Sequence, residues 1–76
     1  MKNQNIMEQM IIAYYYDSYE RTKEHLIVTK RVGKIPQHGS YIVLGKRRYK
    51  IVQAEYDYEV SQMAGILLYD VIISET

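Results

Sequence analysis

The chain has no cysteine, phenylalanine or tryptophan, and it has a single proline. Without cysteine no disulfide can form, and the two histidines, His25 and His38, are far apart and have no cysteine partner for a metal site. A domain of this size buries only roughly 60% of the surface of its unfolded chain, so its hydrophobic core is small and its stability modest. We therefore expect one domain over residues 1–76, with no cofactor, in which self-association or a partner supplies the missing stability.

Long hydrophobic runs are also missing. Before the first tyrosines the N-terminus carries one lysine, polar residues, a glutamate and an apolar stretch of about five residues, which is shorter than a signal-peptide core or a membrane span. No small-residue cleavage site follows this stretch. The sequence thus predicts a cytoplasmic protein without membrane contact, in which residues 1–9 are either a flexible end or an added edge segment.

Charge is balanced in total and uneven along the chain. The formal net charge is +1, yet residues 21–50 carry nine basic residues and one acidic residue, whereas residues 51–76 carry five acidic residues and no basic one. This segregation can create a basic patch for an anionic partner. It can equally place basic and acidic strands side by side, where they neutralise one another, and the sequence leaves both interpretations open.

Alternation of apolar and polar residues dominates the pattern, and no window of eleven or more residues keeps a helical period. We expect an all-β protein whose five strands form a strongly bent antiparallel sheet or a small barrel. A tight turn is predicted at Gly45-Lys46 and a β-bulge near Ile51-Val52, where the alternation changes phase. The predicted strands cover residues 10–16, 24–32, 41–44, 48–58 and 66–74, and a flexible loop is predicted over residues 59–65.

Residues 35–76 carry a succession of turn glycines and alternating apolar residues. The succession resembles small SH3-like β-barrel proteins, particularly uncharacterised ones encoded by phages and other mobile elements. That resemblance implies an SH3-like barrel and a phage or mobile-element origin, and it implies no activity. The residues that carry it are Ile35, Pro36, Gly39, Val43, Gly45, Tyr49, Ile51, Val52, Tyr56, Asp57, Tyr58, Val71, Ile73 and Glu75.

Nine tyrosines supply all the aromatic side chains. A tyrosine combines a large apolar ring with a hydroxyl group, which suits half-buried positions and interfaces. We expect Tyr41, Tyr49 and Tyr69 in the core. The acidic residues around Tyr56 and Tyr58 would repel a phosphate backbone, so this cluster favours a protein partner; its alternative is a sheet edge whose charges prevent aggregation. The predicted partner-binding residues are Tyr15, Tyr19, Tyr56, Asp57 and Tyr58.

A basic run lies at the predicted hairpin tip, where side chains could reach phosphate groups. Its members are Lys46, Arg47, Arg48 and Lys50. They are the candidate nucleic-acid contacts, although such a run also serves solubility alone.

The last predicted strand is apolar on both faces, with Leu67, Tyr69, Val71 and Ile73 on one and Ile66, Leu68 and Ile72 on the other. Because a small barrel covers one face only, we expect a homodimer, a partner or the first ten residues to cover the second.

Signals for catalysis are absent from the sequence. The serines lack glycine-flanked nucleophile settings, and no glycine-rich phosphate loop occurs. The first hypothesis is therefore a small non-enzymatic protein-binding module, of phage or mobile-element origin by resemblance, that binds and inhibits or otherwise modulates a host protein. The alternatives are a nucleic-acid-binding β-barrel that uses the basic hairpin, and a structural subunit of a homo-oligomer.

Overall fold

A computed structural model describes residues 9–76 of the chain. The expectation for the N-terminal segment therefore lies, except for Gln9, outside the described residues. Within residues 9–76 no helix is long and apolar enough to cross a membrane. The elements, in chain order, are β1 (Ile11–Tyr16), a short 3-10 helix (Lys23–His25), β2 (Leu26–Val32), β3 (Tyr41–Leu44), β4 (Arg47–Tyr56), the helix α1 (Tyr58–Ala64) and β5 (Leu67–Glu75).

The five strands form one curled sheet in the order β2-β1-β5-β4-β3, which has the shape of a half-barrel. This confirms the predicted all-β class and the five-stranded, strongly bent sheet. The pairs β1–β2, β3–β4 and β4–β5 are antiparallel, as expected. The pair β1–β5 is parallel, so the sheet is mixed and departs from the predicted antiparallel arrangement at the place where the hairpin β1–β2 joins β5.

The predicted turn and bulge both occur, and together they determine which side chains of β4 lie on the same face of the sheet. Gly45 has a φ of 65°, and the flanking residues Leu44 and Arg47 pair across a two-residue turn. On the other side of β4, Ile51 pairs with Ile73 and Gln53 pairs with Ile72, so Val52 is the extra residue. The bulge thereby returns Ala54 and Tyr56 to the face that Ile51 occupies.

The core lies on the concave face of the half-barrel. Its buried residues are Ala13, Tyr15, Tyr49, Ile51, Val71 and Ile73, and partly buried Tyr69 packs against them. The prediction that Tyr49 and Tyr69 belong to the core is confirmed. The same prediction is wrong for Tyr41, which is 51% exposed because it lies on the convex side of an edge strand. The prediction that Tyr15 is a surface residue that binds a partner is also wrong. Its side chain is only 4% exposed, because it lies between Val28 and Val71 on the neighbouring strands.

The second apolar face of β5 needs no partner to cover it. Leu68 and Ile72 are almost fully buried within the single chain. Asp70 lies between them on the same convex face and is paired in register with Glu55, and Arg21 in the β1–β2 connection forms ion pairs with both carboxylates. That connection therefore lies over the convex face. Self-association remains an expectation, without support from this strand.

The segment expected to be a flexible loop is the helix α1. The side chain of Asp57 accepts a hydrogen bond from the Val60 amide at 3.1 Å, which caps the N-terminus. Gly65 closes the other end in the left-handed region, with a φ of 69°. The buried hydroxyl of Ser61 accepts a hydrogen bond from the Leu68 amide at 2.8 Å and joins the helix to β5. Two caps and one buried contact thus order a segment that is too short for its period to be detected.

Candidate functional site

An exposed pair of tyrosines lies where β4 ends and α1 begins. The ring centroids of Tyr56 and Tyr58 are 6.3 Å apart, with an interplanar angle of 75°, which is an edge-to-face arrangement. Tyr56 also packs against half-buried Tyr69, with a centroid distance of 5.4 Å. Tyr69 belongs to the core, so it anchors the pair to the rigid sheet. Tyr58, which is 65% exposed, presents most of its ring to solvent.

The helix α1 carries two further exposed apolar side chains. Val60 and Met63 are both exposed, Met63 by 88%, and their spacing of three residues places them on the same side of the helix. We call Tyr56, Tyr58, Val60 and Met63 the aromatic–helix surface. Val60 and Met63 are not among the predicted partner-binding residues, because the sequence predicts a flexible loop over residues 59–65. The signal that could have found them is the pair of cap residues, Asp57 and Gly65.

Asp57 has a structural role beside this surface. Its carboxylate accepts a hydrogen bond from the Val60 amide in the first turn of α1, so it fixes the helix start next to Tyr58. Glu55 and Glu59 are exposed on either side. Glu55 forms an ion pair with Arg21. For Glu59, the structure shows no ion pair among the described residues.

Tyr19 is exposed but belongs to a different part of the molecule. It lines a cavity of about 400 Å³ together with Arg47, Tyr49 and the end of β5. None of the four residues of the aromatic–helix surface lines that cavity. The structure therefore brings Tyr56, Asp57 and Tyr58 together, places Tyr19 apart from them, and removes Tyr15 to the core.

The basic run lies on the β3–β4 hairpin, as predicted, and all four of its members are exposed. Arg47 forms an ion pair with Glu75 at 3.1 Å. The guanidinium of Arg48 lies over the exposed ring of Tyr41, 4.3 Å from its centroid, and Lys50 pairs in register with Tyr41. The hairpin thus carries one neutralised cation and two cations beside an exposed ring.

Arg21 connects the basic and acidic parts of the sequence. Its guanidinium donates a hydrogen bond to Glu55 and lies 3.7 Å from a carboxylate oxygen of Asp70. The hydrogen bond to Glu55 is the main cause that raises the pKa of Arg21. Arg21 adopts a φ of 54°, in the left-handed region that residues other than glycine rarely occupy. The fold therefore holds this residue in place to neutralise two acidic side chains.

Among the described residues no group of three or more histidine, cysteine, aspartate or glutamate side chains could hold a metal ion. Compared with protein-family models, with curated proteins and with solved structures, the chain gives no match. The surfaces just described are therefore the features of the molecule from which a function can be inferred.

Proposed function

We propose that the protein is a small, non-enzymatic binding module that docks on another protein through the aromatic–helix surface. The observation that carries this proposal is the exposure of Tyr58 and Met63 on α1, a helix that the buried Ser61 joins to β5. Burying a large apolar side chain contributes roughly 1.5–3 kcal/mol, so a partner that covers both gains affinity at a small cost in side-chain ordering. Rigid tyrosines are typical anchors of protein interfaces.

The charges around this surface favour a protein over a nucleic acid. Glu59 borders it, and a carboxylate there opposes the approach of a phosphate backbone. The resemblance of residues 35–76 to phage-encoded SH3-like barrels makes a bacterial host protein the first partner to test. Occupying a surface on that protein would modulate or inhibit it without any chemistry by this chain.

Nucleic-acid binding through the basic hairpin is the alternative. It is favoured by one specific observation, which is the exposed ring of Tyr41 next to Arg48 and Lys50, since bases stack on rings that lie among cations. The two functions differ in salt dependence, because contacts to phosphates weaken steeply as salt rises.

The test is an affinity capture of the tagged protein from bacterial lysate, with and without nuclease, followed by mass spectrometry. We expect one protein to be retained after nuclease treatment and lost with Tyr58→Ala/Met63→Ala. The matched control is Tyr19→Ala, since Tyr19 is 64% exposed and lies outside the surface. With the purified partner, Tyr58→Ala should weaken binding by more than about 2 kcal/mol, or roughly thirtyfold in Kd.

Two results would contradict the proposal. Capture that disappears with nuclease would contradict protein docking and favour the alternative, nucleic-acid binding through the basic hairpin. A partner that binds Tyr58→Ala/Met63→Ala as tightly as the unchanged protein would show that the aromatic–helix surface is not the interface.

A further inference from the structure

The half-barrel has an open seam between its two edge strands, β2 and β3. Within the described residues these strands stand at opposite ends of the sheet order and do not pair with each other. Two cavities lie between them. One, of about 440 Å³, has Val32 on one side and Ile42 on the other, and the second, of about 340 Å³, has Val28 opposite Leu44. We call this gap, with its two cavities, the seam.

The backbone of β3 has free hydrogen-bonding groups on the side of the seam. The Ile51 amide donates to the Ser40 carbonyl at 2.7 Å, and the two-residue turn closes at Leu44 and Arg47. In an antiparallel pair, hydrogen-bonded and non-bonded residues alternate, so Ile42 and Leu44 point their backbone groups at β4. The amides and carbonyls of Tyr41 and Val43 consequently point into the seam. Among residues 9–76, no backbone hydrogen bond outside the β3–β4 ladder involves either residue.

The two edges differ in their protection against a further strand. Charged side chains on an edge strand prevent such pairing, and β2 carries Lys30 and Arg31. β3 has no charged residue and no proline, and its sequence is Tyr-Ile-Val-Leu. Both edge strands have free backbone groups on their outer sides, and β3 is the one without charged side chains.

The seam also specifies the chemistry of an added strand. The residues that line its two cavities include Lys34 and Lys30 and no acidic residue. Successive side chains of a strand point to opposite faces. Beside β3, one set would enter the larger cavity, where Ile35, Pro36 and Ile42 supply an apolar lining.

The other set of side chains would lie next to Tyr41 on the convex face. Arg48 already extends across β3 there, because its guanidinium lies 4.3 Å from the centroid of the Tyr41 ring. A carboxylate on this side of the added strand would meet a cation at the edge of the sheet. Acidic residues on one side and apolar residues on the other are therefore the pattern that fits.

We propose that the seam binds an extended peptide segment of a protein partner, with alternating acidic and apolar residues, as an added strand paired with β3. Such strand addition takes its affinity from main-chain hydrogen bonds and its specificity from alternate side chains. The inference rests on the proposed function in one respect, which is that the ligand is a protein. It adds a second contact region, separate from the aromatic–helix surface.

The test uses the ¹⁵N-labelled protein and short synthetic peptides, observed by NMR. A peptide of alternating glutamate and valine should shift the amides of Tyr41 and Val43 in a saturable way. A lysine–valine peptide, and a glutamate–valine peptide whose pairing amides are N-methylated, should each bind at least about tenfold more weakly. In the protein, Val43→Pro removes one free donor and should weaken binding about tenfold, whereas the matched control Val43→Thr should leave it unchanged.

Several outcomes would overturn the proposal. These are absence of shifts at Tyr41 and Val43, equal binding of the lysine peptide or the methylated peptide, and displacement of the peptide by a single-stranded oligonucleotide that binds the same amides more tightly. A dimer in which a second copy of the chain occupies β3 would also overturn it. Failure of the proposed function would appear instead as capture that does not depend on Tyr58, so the two failures are distinguishable.

Discussion

Asp70 is a residue whose ionised side chain is unfavourable at the position where the fold places it. It lies on the convex face, half-buried, among Asp57, Glu55 and Arg21. Burial is the largest cause that raises the pKa of Asp70, the charges of Asp57 and Glu55 add to the increase, and Arg21 opposes it. Because the pKa is raised in total, the attraction of Arg21 does not offset the cost of holding the ionised carboxylate there.

The sign of the pH dependence follows from this shift. A carboxyl group whose pKa is higher in the folded state binds more protons there, so the free energy of unfolding falls as the pH rises from the unfolded pKa to the folded one. Asp70→Asn removes the charge and keeps the shape. We expect it to raise the free energy of unfolding at pH 7, and the gain to disappear below about pH 3, where aspartate is neutral in both states.

Urea denaturation at the two pH values measures this effect. Asp70→Asn also removes the contact with Arg21 at 3.7 Å, but an ion pair with partly exposed partners contributes little. A loss of stability at pH 7 would show that Arg21 is the dominant influence on Asp70.

At the scale of the elements, the helix α1 depends on its caps. Gly65 has a φ of 69°, and open space surrounds the position where a Cβ would stand, so Gly65→Ala tests the backbone conformation alone. We expect a loss of about 1 kcal/mol in the free energy of unfolding, because the left-handed region is unfavourable for alanine. The matched control is Gly33→Ala, which has equal space and no positive φ and should be neutral or slightly stabilising. Equal effects of the two substitutions in denaturation experiments would contradict this account.

The elements that the sequence predicted are those fixed by local chemistry. Gly45-Lys46 lies between two apolar runs, and the adjacent Ile51 and Val52 break the alternation, so both the turn and the bulge leave a mark in the sequence. The helix α1 has only seven residues, which is less than two full turns, and its period is undetectable. The parallel pairing of β1 with β5 joins distant segments and depends on how the whole sheet closes.

The exposure of the tyrosines was predictable only in part, because it depends on which faces of each strand the rest of the fold covers. Alternation shows that Tyr15 faces away from Tyr14 and Tyr16, but it does not show which face is covered. Here both faces are covered at this point, since Tyr15 and Tyr16 are both buried. Tyr41 is exposed because β3 is at the edge of the sheet, which the residues of β3 do not record. Tyr56 ends β4 and Tyr58 begins α1, and their exposure agrees with their acidic neighbours.

At the scale of the whole molecule, the uneven charge of the sequence is neutralised in some places and left in others. Arg21 pairs with Glu55 and Asp70, and Arg47 pairs with Glu75, so the basic middle of the chain meets the acidic end. The seam has lysines and no acidic residue in its lining. The charge pattern is therefore neutralised in one region and left in another, and the charge that remains is next to the unprotected edge.

The topology also predicts how stability is distributed over the sheet. β5 lies at the centre, between β1 and β4, and its residue Val71 is fully buried. Backbone amides there are released only when the sheet opens as a whole, so we expect the slowest hydrogen exchange in β5. In β3, the Ile42 amide is bonded to β4, whereas the amides of Tyr41 and Val43 face the seam. We expect these two to exchange much faster than Ile42 in the free protein.

Hydrogen exchange followed by NMR compares neighbouring residues of one strand, so Ile42 is an internal control for the local stability of β3. Fast exchange at Tyr41 and Val43, and slow exchange at Ile42, would establish a free edge that an added strand can occupy. Equal protection of all three would mean that the outer edge of β3 is already paired in the free protein. If that protection increased with protein concentration, a second copy would be the occupant, because only association depends on concentration. The seam would then be an interface between copies of this chain, and the peptide proposal would fail.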